Sequence, residues 1–211
     1  MKVVTRDEFV ALLHSRASAK LQPLLRRYDL DMILGRGECA VHEGDLSPTG
    51  EWRLTTANLL VLGSMTCPGL VDLAPDDLLE WGGSLWVFGD LRSRNFAGHY
   101  GAATFVDGDL TVAELAVTAF EDSMLLVTGD FTAHFFYGSD IWADVGGRAV
   151  MEYGVGYALP IGYVNAEGQA IDPRQSRTAS LALLNLDDEE LSEGLVAKIR
   201  RGEHFRKGDG A

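Results

Sequence analysis

Three similar stretches decide the fold: VFGDLRSRNFAG (87–98), VDGDLTVAELAVTAFED (106–122) and VTGDFTAHFFYG (127–138). In each, a Gly-Asp pair interrupts short apolar runs rich in β-branched and aromatic residues. Outward from them, turn glycines recur at intervals of 19, 26, 19 and 21 residues, at Gly44, Gly63, Gly89, Gly108 and Gly129. The apolar runs are too short for helices, and many alternate apolar with polar residues. The pattern therefore predicts β-strands in a repeat of about 20 residues.

A unit of this length cannot bury its own apolar face, but it can do so by coiling and stacking on its neighbours. The sequence therefore predicts a mainly β fold, a parallel β-solenoid whose coils stack about 4.8 Å apart. The interval of 26 residues between Gly63 and Gly89 predicts an insertion on one side of the stack. The residues expected to face inward are Leu85, Val87, Leu91, Phe105, Leu110, Val112, Leu125, Val127 and Phe131.

The Gly-Asp pairs predict the corners of the coils. Glycine tolerates the positive φ that a tight corner needs, and an aspartate side chain can bond its own backbone two residues on. A calcium-loaded β-roll is a poor match, because its repeat has only about nine residues and is denser in glycine and aspartate. We therefore expect a structural role for the corner aspartates, which are Asp45, Asp90, Asp109 and Asp130.

Composition divides the chain into three regions. These are an N-terminal helical cap at 1–40, a solenoid domain at 41–172, and a C-terminal helix with a tail at 173–211. A solenoid exposes unpaired strand edges at the two ends of its stack. We expect the flanking helices to pack on or beside the solenoid, where they can cover those ends.

Helix signals support the two flanking regions. The segment Thr5–Glu8 is a capping box, and helical apolar spacing follows it with an interruption near Gln22–Pro23. The acidic run Asp187–Glu190 predicts the start of the C-terminal helix, and basic residues precede its end at Gly202. Both flanks are therefore predicted to be helical.

Net charge is the most informative feature of the composition. The chain has 18 basic and 31 acidic residues, a net charge of −13. Residues 41–172 hold 4 basic and 19 acidic residues, whereas 1–40 and 173–211 are nearly balanced, and no lysine lies between Lys20 and Lys198. Such a surface repels nucleic acid and anionic membranes and attracts a basic partner. Solubility alone is the alternative explanation.

Other features bear on location and cofactors. The first twenty residues lack the apolar segment of a secretory signal, and the chain has no run of 18 apolar residues. Cys39 and Cys67 are far apart and lack the spacing of metal ligands, so we expect two reduced, partly buried thiols. We therefore expect a cytoplasmic protein with no metal and no cofactor.

Catalytic motifs are scarce in the sequence. The five histidines form no metal-ligand pattern, and no nucleophile elbow or phosphate-binding loop occurs. A polysaccharide-cleaving β-helix would need two carboxylates across a cleft, but the neighbours Asp76/Asp77 and Glu121/Asp122 point in opposite directions if they lie on strands. A pair assembled from different coils stays open as an alternative. We expect a protein that is not an enzyme.

The three stretches resemble the Gly-Asp-Leu β-solenoid proteins of bacterial polymorphic-toxin loci, several of which are immunity proteins. The resemblance covers roughly residues 42–145, and it extends more distantly to the bactofilin-type polymer-forming solenoids. It implies a protein that binds and neutralises a cognate toxin, such as a nuclease delivered by a type VI or contact-dependent route. The flanking helical segments and the uneven spacing of the repeats depart from the bactofilin pattern.

In such an inhibitor, aromatic side chains would anchor the contact and carboxylates would surround them. The two candidate segments are 135–147 and the insertion, which contains Trp81. Alternatively, Phe135 and Trp142 belong to the solenoid core. An assembly scaffold and a polysaccharide-active enzyme are the other hypotheses, and the oligomeric state stays open. The residues expected to bind the partner are Tyr137, Asp140, Trp142, Asp144, Asp72, Asp76, Asp77, Glu80, Glu121 and Asp122.

Overall fold

The computed structural model describes residues 1–34, 36–73, 83–155, 164–165, 167–170, 182 and 191–203. Their strands form the predicted parallel β-solenoid. Each coil contributes strand segments to three faces, a number that the sequence did not reveal. We call the faces A, B and C in the order in which the chain meets them. A coil crosses face A, turns at a glycine corner into face B, bends into face C and enters the next coil.

Each strand of the coils lies on one or more of the three faces. Strand β1 (Lys2–Val4) precedes the coils. Face A stacks β2 (Cys39–His42), β4 (Asn58–Val61), β6 (Ser84–Val87), β8 (Ala103–Val106) and the last residues of β9 (Leu110–Val127) and β10 (Phe131–Val145). Face B contains the first residues of β5 (Met65–Asp72), β7 (Leu91–His99), β9, β10 and β11 (Ala149–Val155). Face C contains β3 (Trp52–Arg53) and later residues of β5, β7, β9, β10 and β11.

Side chains alternate between the interior of the solenoid and its outer surface, as the strand repeat of two requires. All the residues predicted to face inward are buried, and all except Phe105 belong to the interior cluster. Phe105 instead faces outward on face A, where its ring stacks on Trp86 with the centroids 3.8 Å apart. The prediction was wrong there because the neighbouring Val106 takes the inward position.

The Gly-Asp corners are joined differently from the prediction. Each corner side chain accepts a hydrogen bond from the backbone N–H of the equivalent residue one coil later, rather than from its own turn. We call this series the corner ladder. Its rungs are Asp45 from Ser64 (2.8 Å), Ser64 from Asp90 (3.1 Å), Asp90 from Asp109 (3.0 Å), Asp109 from Asp130 (2.8 Å) and Asp130 from Arg148 (2.8 Å). The hydrogen bonds from Arg148 also lower the pKa of Asp130.

The corner glycines are needed for close approach and not, as expected, for positive φ. Among the five that the repeat identified, only Gly44 has a positive φ, of 76°. A Cβ atom on Gly108 would lie 2.7 Å from the carbonyl oxygen of Gly89, and one on Gly129 would lie 2.6 Å from that of Gly108. Backbone therefore stacks on backbone at this corner, and no side chain fits between the coils.

Three N-terminal helices are present: α1 (Arg6–Arg16), α2 (Leu21–Arg27) and α3 (Leu30–Ile33). The capping box of α1 is confirmed, because Thr5 Oγ1 accepts from the Glu8 N–H and the Glu8 carboxylate accepts from the Thr5 N–H. The interruption lies before Leu21, earlier than predicted. Pro23 falls in the first turn of α2, where a backbone N–H is not needed.

The helices pack on the sides of the solenoid. Apolar residues of α1 and α2 pack on the outer surface of face A, and those of α4 (Leu191–Arg200) pack on face C. Ser18, between α1 and α2, donates to the carboxylate of Asp107 through both its backbone N–H and its hydroxyl. At the first end of the stack, the edge of β2 is covered by the antiparallel strand β1. The sides need this cover because face A carries outward apolar residues such as Trp86.

Both cysteines are free and buried. Burial raises the pKa of the Cys39 and Cys67 thiols, which keeps them protonated at neutral pH. In the part of the chain that the structure describes, no helix has both the length and the apolar character to cross a membrane.

Candidate functional site

One corner of the solenoid collects several of the predicted binding residues. It lies where face C turns into face A of the next coil, and residues 100–102, 120–123 and 140–141 form three consecutive turns there. Strand register aligns these turns. The residues paired across the coils before the turns are His99, Ala119 and Ser139, and those paired after them are Ala103, Met124 and Trp142. We call this corner the ridge, and it consists of Tyr100, Glu121, Asp122, Asp140 and Trp142.

The backbone of the ridge is held in an uncommon conformation. Tyr100 and Asp122 have φ values of 56° and 58°, in the left-handed region that residues other than glycine seldom adopt. The Tyr100 N–H donates to the carbonyl of Ala119 at 3.0 Å, and the Gly101 N–H donates to the Ser123 hydroxyl at 3.0 Å. Backbone strain of this kind concentrates at functional sites. The conformation therefore marks the ridge as a candidate site.

Two aromatic side chains are exposed on the ridge. Tyr100 is 40% exposed and Trp142 is 56% exposed, and no other aromatic residue in the described ranges is exposed to this degree. Their turns are two coil steps apart, a separation of roughly 10 Å along the solenoid axis. The ring of His99 lies 4.6 Å from that of Tyr100. The ridge therefore offers apolar contact area that a partner can cover.

Acidic residues share this corner with the aromatic residues and follow Trp142 on face A. Asp122 is exposed and Asp144 half-buried, and neither forms an ion pair with any residue that the structure describes. The backbone of Glu121 and of Asp140 adds two acidic positions to the same corner. Most solenoid arginines are already engaged, in the pairs Arg92–Asp90, Arg94–Glu114 and Arg148–Asp130.

Asp72 was expected on the binding surface, but the structure places it in the interior of the protein. Its side chain is fully buried, and its carboxylate accepts from the Arg200 guanidinium at 3.0 Å. This ion pair joins face C to α4 across 128 residues of sequence. Because the carboxylate lies under the helix, Asp72 holds α4 in place and is not exposed to a partner.

The remaining predicted residues lie at different places. Tyr137 is half-buried and packs in the cluster between face C and α4. Asp144 lies on face A, where burial and its carboxylate raise the pKa of Tyr28. Phe135 is 2% exposed and lies beneath α4, outside the interior cluster of the solenoid, whereas Trp142 is exposed. The insertion residues Asp76, Asp77, Glu80 and Trp81 lie outside the described residues.

Sequence reasoning missed Tyr100. A usable signal was present, because Tyr100 stands between the strand that ends at His99 and a glycine, Gly101. An aromatic residue at a turn is not needed for the core and is available for binding. Neither its positive φ nor its exposure can be read from the sequence.

The ridge is suited to binding. Exposed rings supply apolar contact and carboxylates supply charge, which is the combination that protein interfaces use. Within the described ranges, no three or more His, Cys, Asp or Glu side chains are grouped so that they could hold a metal ion. Compared with known proteins, the chain matches no family model, no curated protein and no solved structure.

Proposed function

We propose that this chain is an immunity protein that inhibits a basic toxin, a nuclease, by binding it through the ridge. The observation that carries the proposal is the combination of exposed Tyr100 and Trp142 with the unpaired carboxylate of Asp122. The resemblance of the repeats to solenoid proteins of toxin loci supports the same function.

The mechanism is occlusion. A nuclease is basic where it grips phosphate, so an acidic protein that covers that surface blocks the substrate. Opposed charges raise the association rate and fix the orientation, while desolvated aromatic side chains supply most of the affinity. Such an inhibitor needs neither a catalytic group nor a cofactor, and its own charge repels nucleic acid.

The direct test mixes the purified chain with the basic nuclease encoded beside its gene. We expect a discrete complex in analytical ultracentrifugation and loss of DNA cleavage at equimolar inhibitor. No complex at low salt would defeat the proposal. If the free chain instead sediments as large assemblies, the scaffold hypothesis replaces it.

Trp142→Ala should weaken this complex about 30-fold, because a central interface tryptophan contributes about 2 kcal/mol. The loss should appear mainly in the dissociation rate, measured by surface plasmon resonance. Met32→Ala is the control, since Met32 is 85% exposed on α3 and is not a residue of the ridge. Equal effects of the two changes would move the interface elsewhere.

Asp122→Asn should slow association and reduce the salt dependence of the association rate, because it removes a ridge charge. Asparagine also tolerates the left-handed conformation of this position, so the fold should be kept. Glu152→Gln makes the same change of charge on β11, at an exposed residue outside the ridge. An association rate that responds equally to both variants would show that only net charge matters.

A further inference from the structure

A crevice of about 260 Å³ lies at a different corner, where face B bends into face C. Its walls are residues 49–51, 68–70 and 94–95 of three successive coils, and Ile199 and Gly202 at the end of α4. Gly50 and Gly69 contribute no side chains, which leaves the space open. A Cβ on Gly69 would lie 2.9 Å from the backbone nitrogen of Glu51, so only glycine fits there.

A buried amide donor lines this crevice. Asn95 is 2% exposed, and its Oδ1 accepts from the Leu115 N–H at 3.1 Å. Its Nδ2 donates to none of the residues that the structure describes, and it is not among their fully buried polar atoms without a partner. This N–H group is therefore open to the crevice, where an acceptor can reach it.

Arg94 supplies a second donor beside it. Its Nε donates to the buried carboxylate of Glu114 at 3.0 Å, and its Nη2 donates to the carbonyls of Gly202 and Glu203 at 3.5 and 3.4 Å. Through these bonds, Arg94 has a structural role at the C-terminal end of α4. They leave Nη1 without a partner among the described residues, and they do not engage Asn95 Nδ2.

We propose that the crevice binds a small monocarboxylate whose carboxylate accepts from Asn95 Nδ2 and Arg94 Nη1. Guanidinium and amide donors together suit a carboxylate, and the walls formed by Pro68, Leu70 and Ile199 suit an apolar body. The crevice is smaller than a typical drug-sized pocket, so the ligand is small. Glu114 is paired with Arg94 and the exposed Glu51 reaches solvent, so neither carboxylate blocks the two donors.

Benzoate is the probe, with neutral benzamide as its matched control. In the wild-type protein, the side-chain amide resonances of Asn95 should shift saturably with benzoate, with a dissociation constant on the order of 1 mM. Benzamide at the same concentrations should leave them in place. No saturable shift with benzoate, or an equal shift with benzamide, would overturn the proposal.

A nearly isosteric variant tests the donor itself. Asn95→Asp keeps an acceptor for the Leu115 N–H but replaces the amide donor with a carboxylate oxygen, so benzoate affinity should fall at least tenfold. Asn165→Asp adds the same charge in a turn away from the crevice. Equal losses in the two variants would contradict the site. If Asn95→Asp does not fold, the titrations of the wild-type protein with benzoate and benzamide test the proposal on their own.

Discussion

Gly129→Ala should destabilise the protein by about 3 kcal/mol or more, the upper range for overpacking a close contact. The new methyl group would lie 2.6 Å from the backbone oxygen of Gly108, and that oxygen belongs to a stacked coil and cannot move aside. Chemical denaturation followed by circular dichroism measures the effect. In a chain of this size, the melting temperature should fall by roughly 6–12 °C.

Gly50→Ala is the matched control for this change. No atom lies within 4 Å of a Cβ built on Gly50, and its φ is not in the left-handed region. The alanine should therefore be neutral or slightly stabilising, since it only restricts the unfolded chain. If Gly129→Ala were equally harmless, the coils would not stack backbone on backbone at this corner.

Trp86→Ala should cost about 3–5 kcal/mol, the range for removing a fully buried large aromatic side chain. Trp86 stacks on Phe105 beneath α1 and α2, and its Nε1 donates to the Ser84 hydroxyl at 2.9 Å. Urea denaturation measures the loss. If the alanine variant does not fold, Trp86→Phe should fold with a smaller loss of stability.

Trp142→Ala makes the same chemical change at an exposed position. Its effect on the free energy of unfolding should stay within about 0.5 kcal/mol. The two variants therefore compare the free energy of unfolding at a buried position under the helices of face A with that at an exposed position on the ridge. Equal losses for both variants would contradict this difference in burial.

Much of the fold is predictable because the repeat is visible in sequence. A glycine with apolar residues on each side marks the corners, and the strand repeat of two identifies most of the inward positions. The corner at Gly147 does not follow the Gly-Asp pattern, because Arg148 stands at the aspartate position. The backbone N–H of Arg148 still donates to Asp130. The hydrogen-bond partners in the corner ladder are not visible in any local sequence pattern, because they lie 18 to 26 residues apart.

The site is only partly predictable. Residues 121, 122, 140 and 142 come together because the repeat aligns their turns. The burial of Asp72 depends on Arg200, and no local pattern connects two residues so distant in sequence. Which aromatic residue is exposed depends on the helices that cover faces A and C. Phe135 lies beneath α4 and Trp142 does not.

The corner ladder has a direction, because every side-chain acceptor belongs to an earlier coil and every N–H donor to the next one. Synthesis delivers the coils in that same order. A finished coil is thus a template for the segment that is just leaving the ribosome. We therefore expect the stack to grow from its N-terminal coil. Among the described residues, the ladder ends at Arg148, because an arginine side chain offers no acceptor for another turn.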